Sequence, residues 1–147
     1  MIFFFDANVL IYRIEGAPPF AGQVNAALAE AAQAHPDPQA AVSRLSWLEC
    51  RIRPMRQNDH PTLAAYDAFF ARPDLIWIEL TRNVVELATV IRARHGLRTP
   101  DALQAASCLQ LGDEHLFFTG DATFQRVAGL KVRSEEHTSE LQSHSFI

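Results

Sequence analysis

The sequence predicts an α/β protein: a three-layer sandwich in which a parallel sheet of about five strands has helices on both faces. Three observations predict it. The chain opens on the large apolar residues 2–5, a continuous run typical of a strand buried on both faces. Short strand-like runs then alternate with helix-like segments, which is the order of a parallel sheet with crossover helices. A chain of 147 residues with a 48% apolar composition is long enough for one domain with a sizeable core.

Loop signals separate the elements of the first half. A first strand leads into a short helix, and a Gly-Ala-Pro-Pro-Phe loop precedes an alanine-rich second helix that a His-Pro-Asp-Pro segment ends. A short apolar strand follows, and then a third helix that Pro54 should end or kink. The predicted ranges are strand 2–5, helices 8–15 and 21–34, strand 40–43 and helix 44–53.

Caps and stops mark the elements of the second half. Thr81 is a plausible N-cap and Gly96 a plausible stop for one helix. In the next helix Thr99 caps, Pro100 occupies the first turn and Gly112 ends the helix. The predicted ranges are helix 60–71, strand 74–80, helices 82–95 and 100–111, strand 115–119, a short helix 121–127 and strand 130–132.

The charge and the end of the chain bear on function and domain limits. A formal net charge of −4 argues against a non-specific nucleic-acid binder. Half of that charge comes from residues 133–147, which are polar, lack an apolar period and resemble the translation of a common sequencing-library adapter. We therefore predict one domain over residues 1–132 and a non-native tail over residues 133–147.

Cysteine and histidine usage argues against zinc and disulfide chemistry. Cys50 and Cys108 form no CxxC pair and fall in helix-like segments, so we expect buried, unreactive thiols. The six histidines show no metal-ligand spacing. No signal peptide and no apolar run of about 20 residues is visible, so the sequence predicts a cytoplasmic protein that does not enter the membrane.

Three aspartates lie where ligands bind in a parallel sheet. Asp6 follows the first strand, Asp121 follows the fourth, and Asp101 lies in the first turn of a helix. The carboxyl ends of parallel strands form the usual binding edge, which a helix start also reaches. For each aspartate alone, capping of a helix N-terminus is the simpler explanation.

Glu49 is harder to explain as an ordinary surface residue. We expect Leu45, Leu48, Ile52 and Met55 to form the apolar stripe of the third helix, with Glu49 at about 40° from Leu45 at its edge. A partly buried carboxylate needs a partner. Either an arginine (Arg94 or Arg98) pairs with it, or a cation does.

Several carboxylates on one edge repel one another unless positive charge lies among them. A site of oxygen ligands, without thiols or paired histidines, fits Mg²⁺ or Mn²⁺. Substrate phosphate oxygens commonly complete the coordination of Mg²⁺. The sequence therefore predicts metal-assisted hydrolysis of a phosphoester.

Four segments resemble the motifs of PIN-domain ribonucleases, in the right order and spacing over residues 1–132. The first resembles the opening D-[TAS]-[NS]-x-[LIV] motif, the second the helix that bears the family's glutamate, the third the family's third acidic motif, and the last the closing T-N-D-x-x-F segment. In chain order they read FFFDANVLIY, SRLSWLECR, LRTPDALQAA and FFTGDATFQRVAGLKV. Within that family, the chain resembles VapC-type toxins of bacterial toxin–antitoxin pairs.

The resemblance implies a site and a mechanism. The implied metal ligands or water-orienting carboxylates are Asp6, Glu49, Asp101 and Asp121, the last being the least constant in its role. Asn8 and Thr119 would orient them. One or two Mg²⁺ ions, or Mn²⁺, would activate a water for in-line attack on an RNA phosphodiester, leaving 5′-phosphate and 3′-hydroxyl ends. Gly120 departs from the polar residue that the family often has there.

The resemblance also implies partners: an RNA substrate, a cognate antitoxin and a second copy of the chain in a homodimer. Two arginine groups are candidates for phosphate contacts, with solvated helix faces as the alternative. Apolar residues of helices two and four are candidates for partner binding, with the core as the alternative. The arginines are Arg44, Arg51, Arg53, Arg56, Arg92, Arg94 and Arg98, and the apolar residues are Val24, Leu28, Leu63, Tyr66, Phe69 and Phe70.

Three other functions are weighed. A haloacid-dehalogenase-type phosphotransferase needs a second aspartate where this chain has Asn8. A response-regulator receiver needs an acidic pair before an aspartate and a lysine after a late strand, whereas Lys131 falls inside the predicted last strand. The serious alternative is a catalytically inactive PIN-like RNA-binding or protein-interaction module. Retention of all four acidic positions favours the enzyme.

Overall fold

A computed structural model describes residues 1–134 of the chain, and over this range the protein has the predicted three-layer α/β fold. Five strands form one sheet in the order β3-β2-β1-β4-β5, with every neighbouring pair parallel. The strands of this described part are β1 Ile2–Phe5, β2 Gln39–Ser43, β3 Ile76–Ile78, β4 His115–Thr119 and β5 Val132–Ser134.

Helices connect the strands and cover both faces of the sheet. Between β1 and β2 run α1 Ala7–Glu15 and α2 Phe20–Ala34; between β2 and β3, α3 Arg44–Arg56 and α4 His60–Phe70; between β3 and β4, α5 Arg82–His95 and α6 Thr99–Leu109. A 3₁₀ helix, Ala122–Arg126, links β4 to β5. Among residues 1–134, none of these helices combines the length and apolar character needed to cross a membrane.

The apolar run of β1 is buried on both faces because this strand is central. Phe4 packs with Phe117 in the core that α5 and α6 cover. Phe3 and Phe5 point the other way, into the core beneath α1, α2 and α4. Successive side chains of a strand alternate between faces, so one continuous run supplies both cores.

The two cysteines lie in these two cores. Cys50 and Cys108 are buried as free thiols, and burial raises the pKa of both. Because the thiolate is the reactive form, the raised pKa lowers the reactivity of both side chains at neutral pH. The prediction that both thiols are buried is confirmed.

Several predicted boundaries are wrong. Pro54 does not end α3, which continues for two more residues to Arg56. Thr99 is the first helical residue and not the cap, which is Arg98, without a side-chain hydrogen bond. The predicted strand 74–80 shortens to β3.

The last strand lies two residues later than predicted. Val132–Ser134 pairs with β4, whereas Leu130 is buried before the strand begins. The backbone of Lys131 leads into the strand: its carbonyl accepts from the Phe117 N–H at 2.8 Å, and its N–H donates to His115 Nε2 at 3.1 Å. Residues 133 and 134 of the predicted tail thus belong to the sheet, and residues 135–147 lie outside the described residues.

Candidate active site

Asp6 is placed at the carboxyl edge of the sheet by its position directly after the central strand. It is extended, with φ −64° and ψ 151°, and its Oδ1 accepts a hydrogen bond from the N–H of Ala7 at 2.8 Å, which caps α1. Its Oδ2 accepts from the hydroxyl of Thr119 at 2.8 Å. Thr119 reaches it because β4 is the parallel neighbour of β1, so both strands end at the same edge.

The electrostatic state of Asp6 shows which acidic groups lie near it. The side chain is buried, and this burial raises its pKa to about 7, against the opposing hydrogen bond from Thr119. The charges of Asp101 and Glu49 add to the rise of this pKa. Three carboxylates from distant parts of the sequence therefore interact at this edge of the sheet.

Glu49 faces the protein interior, although the predicted apolar stripe does not. Leu48, Ile52 and Met55 are 51%, 43% and 58% exposed, so that prediction is wrong. The buried face of α3 instead consists of Ser46, Cys50 and Pro54. Small side chains let α3 approach its neighbours closely, whereas the larger apolar side chains face outward.

Glu49 itself is half-buried and hydrogen-bonded to an amide. Gln104 Nε2 donates to its Oε1 at 3.0 Å. Burial raises the pKa of Glu49, the Gln104 bond lowers it, the charge of Asp101 raises it and that of Arg98 lowers it. Within residues 1–134 Glu49 has no ion pair, so the expected alternative of a bridge to Arg94 or Arg98 is wrong.

Asp101 is held by the start of α6. It lies in the first turn of that helix, where a carboxylate suits the helix dipole. Arg98 Nε donates to its Oδ2 at 3.2 Å, while the Asp101 side chain is only 15% exposed. Asp101 thus accepts a hydrogen bond from Arg98, while its charge acts on Asp6 and Glu49.

Asp121 has a different local role. Its Oδ1 accepts from the N–H of Thr123 at 2.9 Å and caps the 3₁₀ helix, while its own N–H donates to Thr119 Oγ1 at 3.1 Å. The neighbouring N–H of Gly120 donates to Asn8 Oδ1 at 3.3 Å. Asn8 and Thr119 therefore tie the loop after β4 to the segment that carries Asp6.

Gly120 allows a close approach of α1. A Cβ at this position would lie 3.3 Å from Tyr12 Cε2 and 3.7 Å from Asn8 Nδ2. Burial raises the pKa of Tyr12, and so does the charge of Asp6, which places this ring beside the acidic residues. A polar side chain at position 120 would compete with Tyr12 for space.

Comparison of the sequence with protein-family models gives one decisive match. The model of the PIN domain matches residues 3–130. The chain belongs to the PIN domain family. No curated protein sequence is significantly similar to it.

Solved structures share the PIN fold of this chain at low sequence identity. A chain of VapBC2 from Rickettsia felis, bound to a DNA fragment from its promoter, has a TM-score of 0.71 and 16% identity, covering 91% of this chain and 98% of its own. A toxin–antitoxin complex from Klebsiella pneumoniae has a TM-score of 0.62 and 23% identity, and the match covers 89% of this chain and 95% of the other. VapC20 of Mycobacterium tuberculosis, a sarcin–ricin loop cleaving toxin, has a TM-score of 0.68 and 18% identity, and the match covers 89% of this chain and 98% of the other.

The acidic residues near Asp6 suit a hard divalent cation in their chemistry. Among residues 1–134, no three His, Cys, Asp or Glu side chains are grouped so as to hold a metal ion. The acidic groups whose charges act on Asp6, those of Asp101 and Glu49, nevertheless offer carboxylate oxygens, the ligands that Mg²⁺ and Mn²⁺ prefer. Burial is the main cause of the raised pKa of Asp6, and the repulsion by Asp101 and Glu49 that adds to it is what such a cation would relieve.

Most arginines that we considered for phosphate binding are engaged within the PIN domain. Arg44 forms two hydrogen bonds to Glu79, and Arg51 pairs with Asp67. Arg53 bridges acidic groups of α1 and of the α3–α4 loop. Arg92 donates to a backbone carbonyl. These contacts favour a structural role for the α3 arginines.

The apolar residues that we considered for partner binding divide between core and surface. Val24, Tyr66 and Phe70 are buried in the core beneath α1, α2 and α4. Leu28, Leu63 and Phe69 are half-buried. By contrast, Leu48, Ile52 and Met55 of α3 are exposed, although the sequence pattern assigned them to an inward-facing apolar stripe.

Sequence patterns missed two residues that contact this site. Gln104 carries the one long uncharged polar side chain in the small-residue run of α6, three positions after Asp101, and that spacing was a usable signal. Tyr12 lies four positions after Asn8 on α1, which puts both on one helix face. Its position near Gly120 follows only from the fold, which brings the loop after β4 beside α1.

Proposed function

We propose that this PIN domain is a metal-dependent endoribonuclease and the toxin component of a type II toxin–antitoxin pair. The observation that carries the proposal is the electrostatic coupling of Asp6 to Asp101 and Glu49 at the carboxyl edge of a parallel sheet. Ligands bind at this edge in α/β proteins. Perturbed carboxylates on such an edge are typical of catalytic sites.

Asp6, Glu49 and Asp101 are the proposed metal ligands, and Asp121 is a further candidate. When bound, a divalent cation would supply a water of lowered pKa and offset the charge that develops on the phosphate. Thr119 holds the Asp6 carboxylate in one orientation through its hydroxyl. Asn8 holds the loop that carries Asp121 by accepting from Gly120. These residues would fix the reacting groups and so lower the barrier by positioning.

The proposed toxin role rests on the similarity of this fold to solved structures of toxins. The similar structures include a toxin–antitoxin complex and a sarcin–ricin loop cleaving toxin. We extend to this chain an RNA substrate, a cognate antitoxin, a homodimeric state and action in the cytoplasm. The exposed side chains Leu48, Ile52 and Met55 provide apolar surface that such partners could cover.

Cleavage of RNA by the purified protein tests the proposal. We expect Mg²⁺-dependent cleavage that EDTA abolishes and that Asp6→Asn reduces by about 100-fold or more, the scale on which loss of an electrostatic catalytic group acts. Asp113→Asn, the same change at an exposed position, should keep parent activity. Cleavage that persists in EDTA, or equal activity of both variants, would contradict the proposal.

The second candidate is a catalytically inactive PIN-like module that binds RNA or protein. The absence of a grouped metal site within residues 1–134 favours it. Thermal unfolding separates the two, because a ligand that binds only the native state raises the melting temperature. An enzyme should gain stability with Mg²⁺ and lose most of that gain in Asp6→Asn, whereas a module should show neither effect.

A further inference from the structure

Buried polar side chains line the contact of α6 with α3 and β2, and we call this group the polar seam. Its members are Ser43, Ser46, Gln104 and Ser107. Ser107 and Ser43 are joined through their hydroxyls at 3.1 Å. Gln104 Nε2 donates to Ser46 Oγ and to Glu49 Oε1, each at 3.0 Å. Through Gln104, the polar seam reaches a carboxylate of the acidic site.

Gln104 links the two helices that carry acidic site residues. It lies three positions after Asp101 on α6, and its side chain reaches Glu49 on α3. An ionised carboxylate can only accept hydrogen bonds, so it selects the amide orientation in which nitrogen faces Glu49. A neutral side chain thus fixes the direction of Glu49 without removing its negative charge.

The amide oxygen of Gln104 is buried without a hydrogen-bond partner in the described part of the chain, which is energetically unfavourable. Gln104 is 1% exposed, and its Oε1 has no hydrogen-bond partner within residues 1–134. Burial of an unpaired acceptor is unfavourable, and an apolar side chain of similar size would avoid it. Packing alone therefore does not explain a glutamine here, whereas its hydrogen bonds to Ser46 and to the charged Glu49 do.

We propose that Gln104 is a positioning residue of the acidic site, whose amide holds the Glu49 carboxylate toward Asp101 and Asp6. The proposal rests on the proposed nuclease function and deepens it. Without this bond, Glu49 would keep its charge but turn among rotamers. Partners of this kind orient metal ligands, and their loss costs about 10–100-fold in activity or metal affinity.

Kinetics of RNA cleavage test the role in catalysis. Gln104→Met, which keeps length but has no donor, should lower kcat by about 10–100-fold and leave KM for RNA unchanged. Ser107→Ala is the matched control, since it removes a buried polar group of the same seam without touching Glu49, and should keep parent kcat. Full kcat in Gln104→Met, or an equal loss in the control, would overturn the proposal.

A double-mutant cycle tests the contact without metal or RNA. Melting temperatures of the parent, Gln104→Met, Glu49→Ala and the double variant are compared in EDTA. The shifts should be non-additive, because the hydrogen bond is lost only once, and additive shifts would overturn the proposal. Gln104→Leu repeats the cycle if the methionine variant does not fold. A parent that cleaves no RNA would refute the proposed function and leave this cycle decisive for the contact.

Discussion

At the residue scale, Asp6 combines two roles that the sequence left as alternatives. Its Oδ1 caps α1, and its Oδ2 accepts a hydrogen bond from the hydroxyl of Thr119. Thr119 Oγ1 also accepts from the N–H of Asp121 and so anchors the loop after β4. Capping and electrostatic coupling are compatible because a carboxylate has several acceptor sites. A helix cap is therefore no argument against a catalytic role for the same side chain.

The raised pKa of Asp6 predicts how the metal-free protein responds to pH. The folded state holds the Asp6 proton up to a pKa of about 7, whereas the unfolded chain releases it near 3.8. Stability from this group is therefore present at acid pH and is lost as pH rises through about 7. Asp6→Asn, which has no proton to lose, should then be more stable than the parent at pH 8 by about 1–4 kcal/mol.

Urea unfolding in EDTA at pH 5 and pH 8 measures this effect. The difference between Asp6→Asn and the parent should be much smaller at pH 5 than at pH 8. Asp113→Asn, the same change at an exposed position, is compared with the parent in the same way as a control. A parent whose stability relative to Asp6→Asn is the same at both pH values would contradict the burial of a carboxylate with a raised pKa.

The acidic residues were predictable from sequence, but their supporting side chains were not. Asp6, Glu49 and Asp101 stand in motifs whose order along the chain is readable. Gln104 and Tyr12 act through tertiary contacts with Glu49 and with the loop at Gly120, which no local pattern encodes. The prediction that Glu49 faces inward was correct, but the reason for it, an apolar stripe beside Glu49, was wrong.

At the element scale, α3 shows how a periodic pattern misleads. Its large apolar side chains repeat at helical spacing, yet they face outward, and Ser46 and Cys50 face inward. Where two elements pack closely, small side chains occupy the contact, and hydropathy alone does not reveal this. Caps were more reliable: Thr81 accepts from Val84 as predicted, whereas the Thr99 cap failed.

The outward orientation of the apolar side chains of α3 predicts how their substitution affects stability. Leu48→Ala, at a position 51% exposed, should change the free energy of unfolding by no more than about 0.5 kcal/mol. Leu10→Ala, at a position 1% exposed on α1, should cost about 2–5 kcal/mol because it leaves a cavity. Urea unfolding of the two variants measures both; similar losses would show that α3 presents its apolar side chains to the core.

At the scale of the whole molecule, the sheet order determines where the site forms. β1 and β4 are neighbours, so Asp6 and Thr119 meet although 113 positions separate them. The alternation of strands and helices predicted the fold class, because parallel strands need crossover helices. Strand order and the limits of the short edge strands were not predictable, since these depend on which neighbours pair.

The central claim is that Asp6, Glu49 and Asp101 share one electrostatic site, and an NMR titration of the Asp6 carboxyl carbon in metal-free protein tests it most directly. The pKa should be about 7 in the parent and should fall in both Glu49→Gln and Asp101→Asn, because each removes a nearby negative charge. Asp113→Asn should leave it unchanged. A parent pKa near 3.8, or one that neither substitution lowers, would contradict the account.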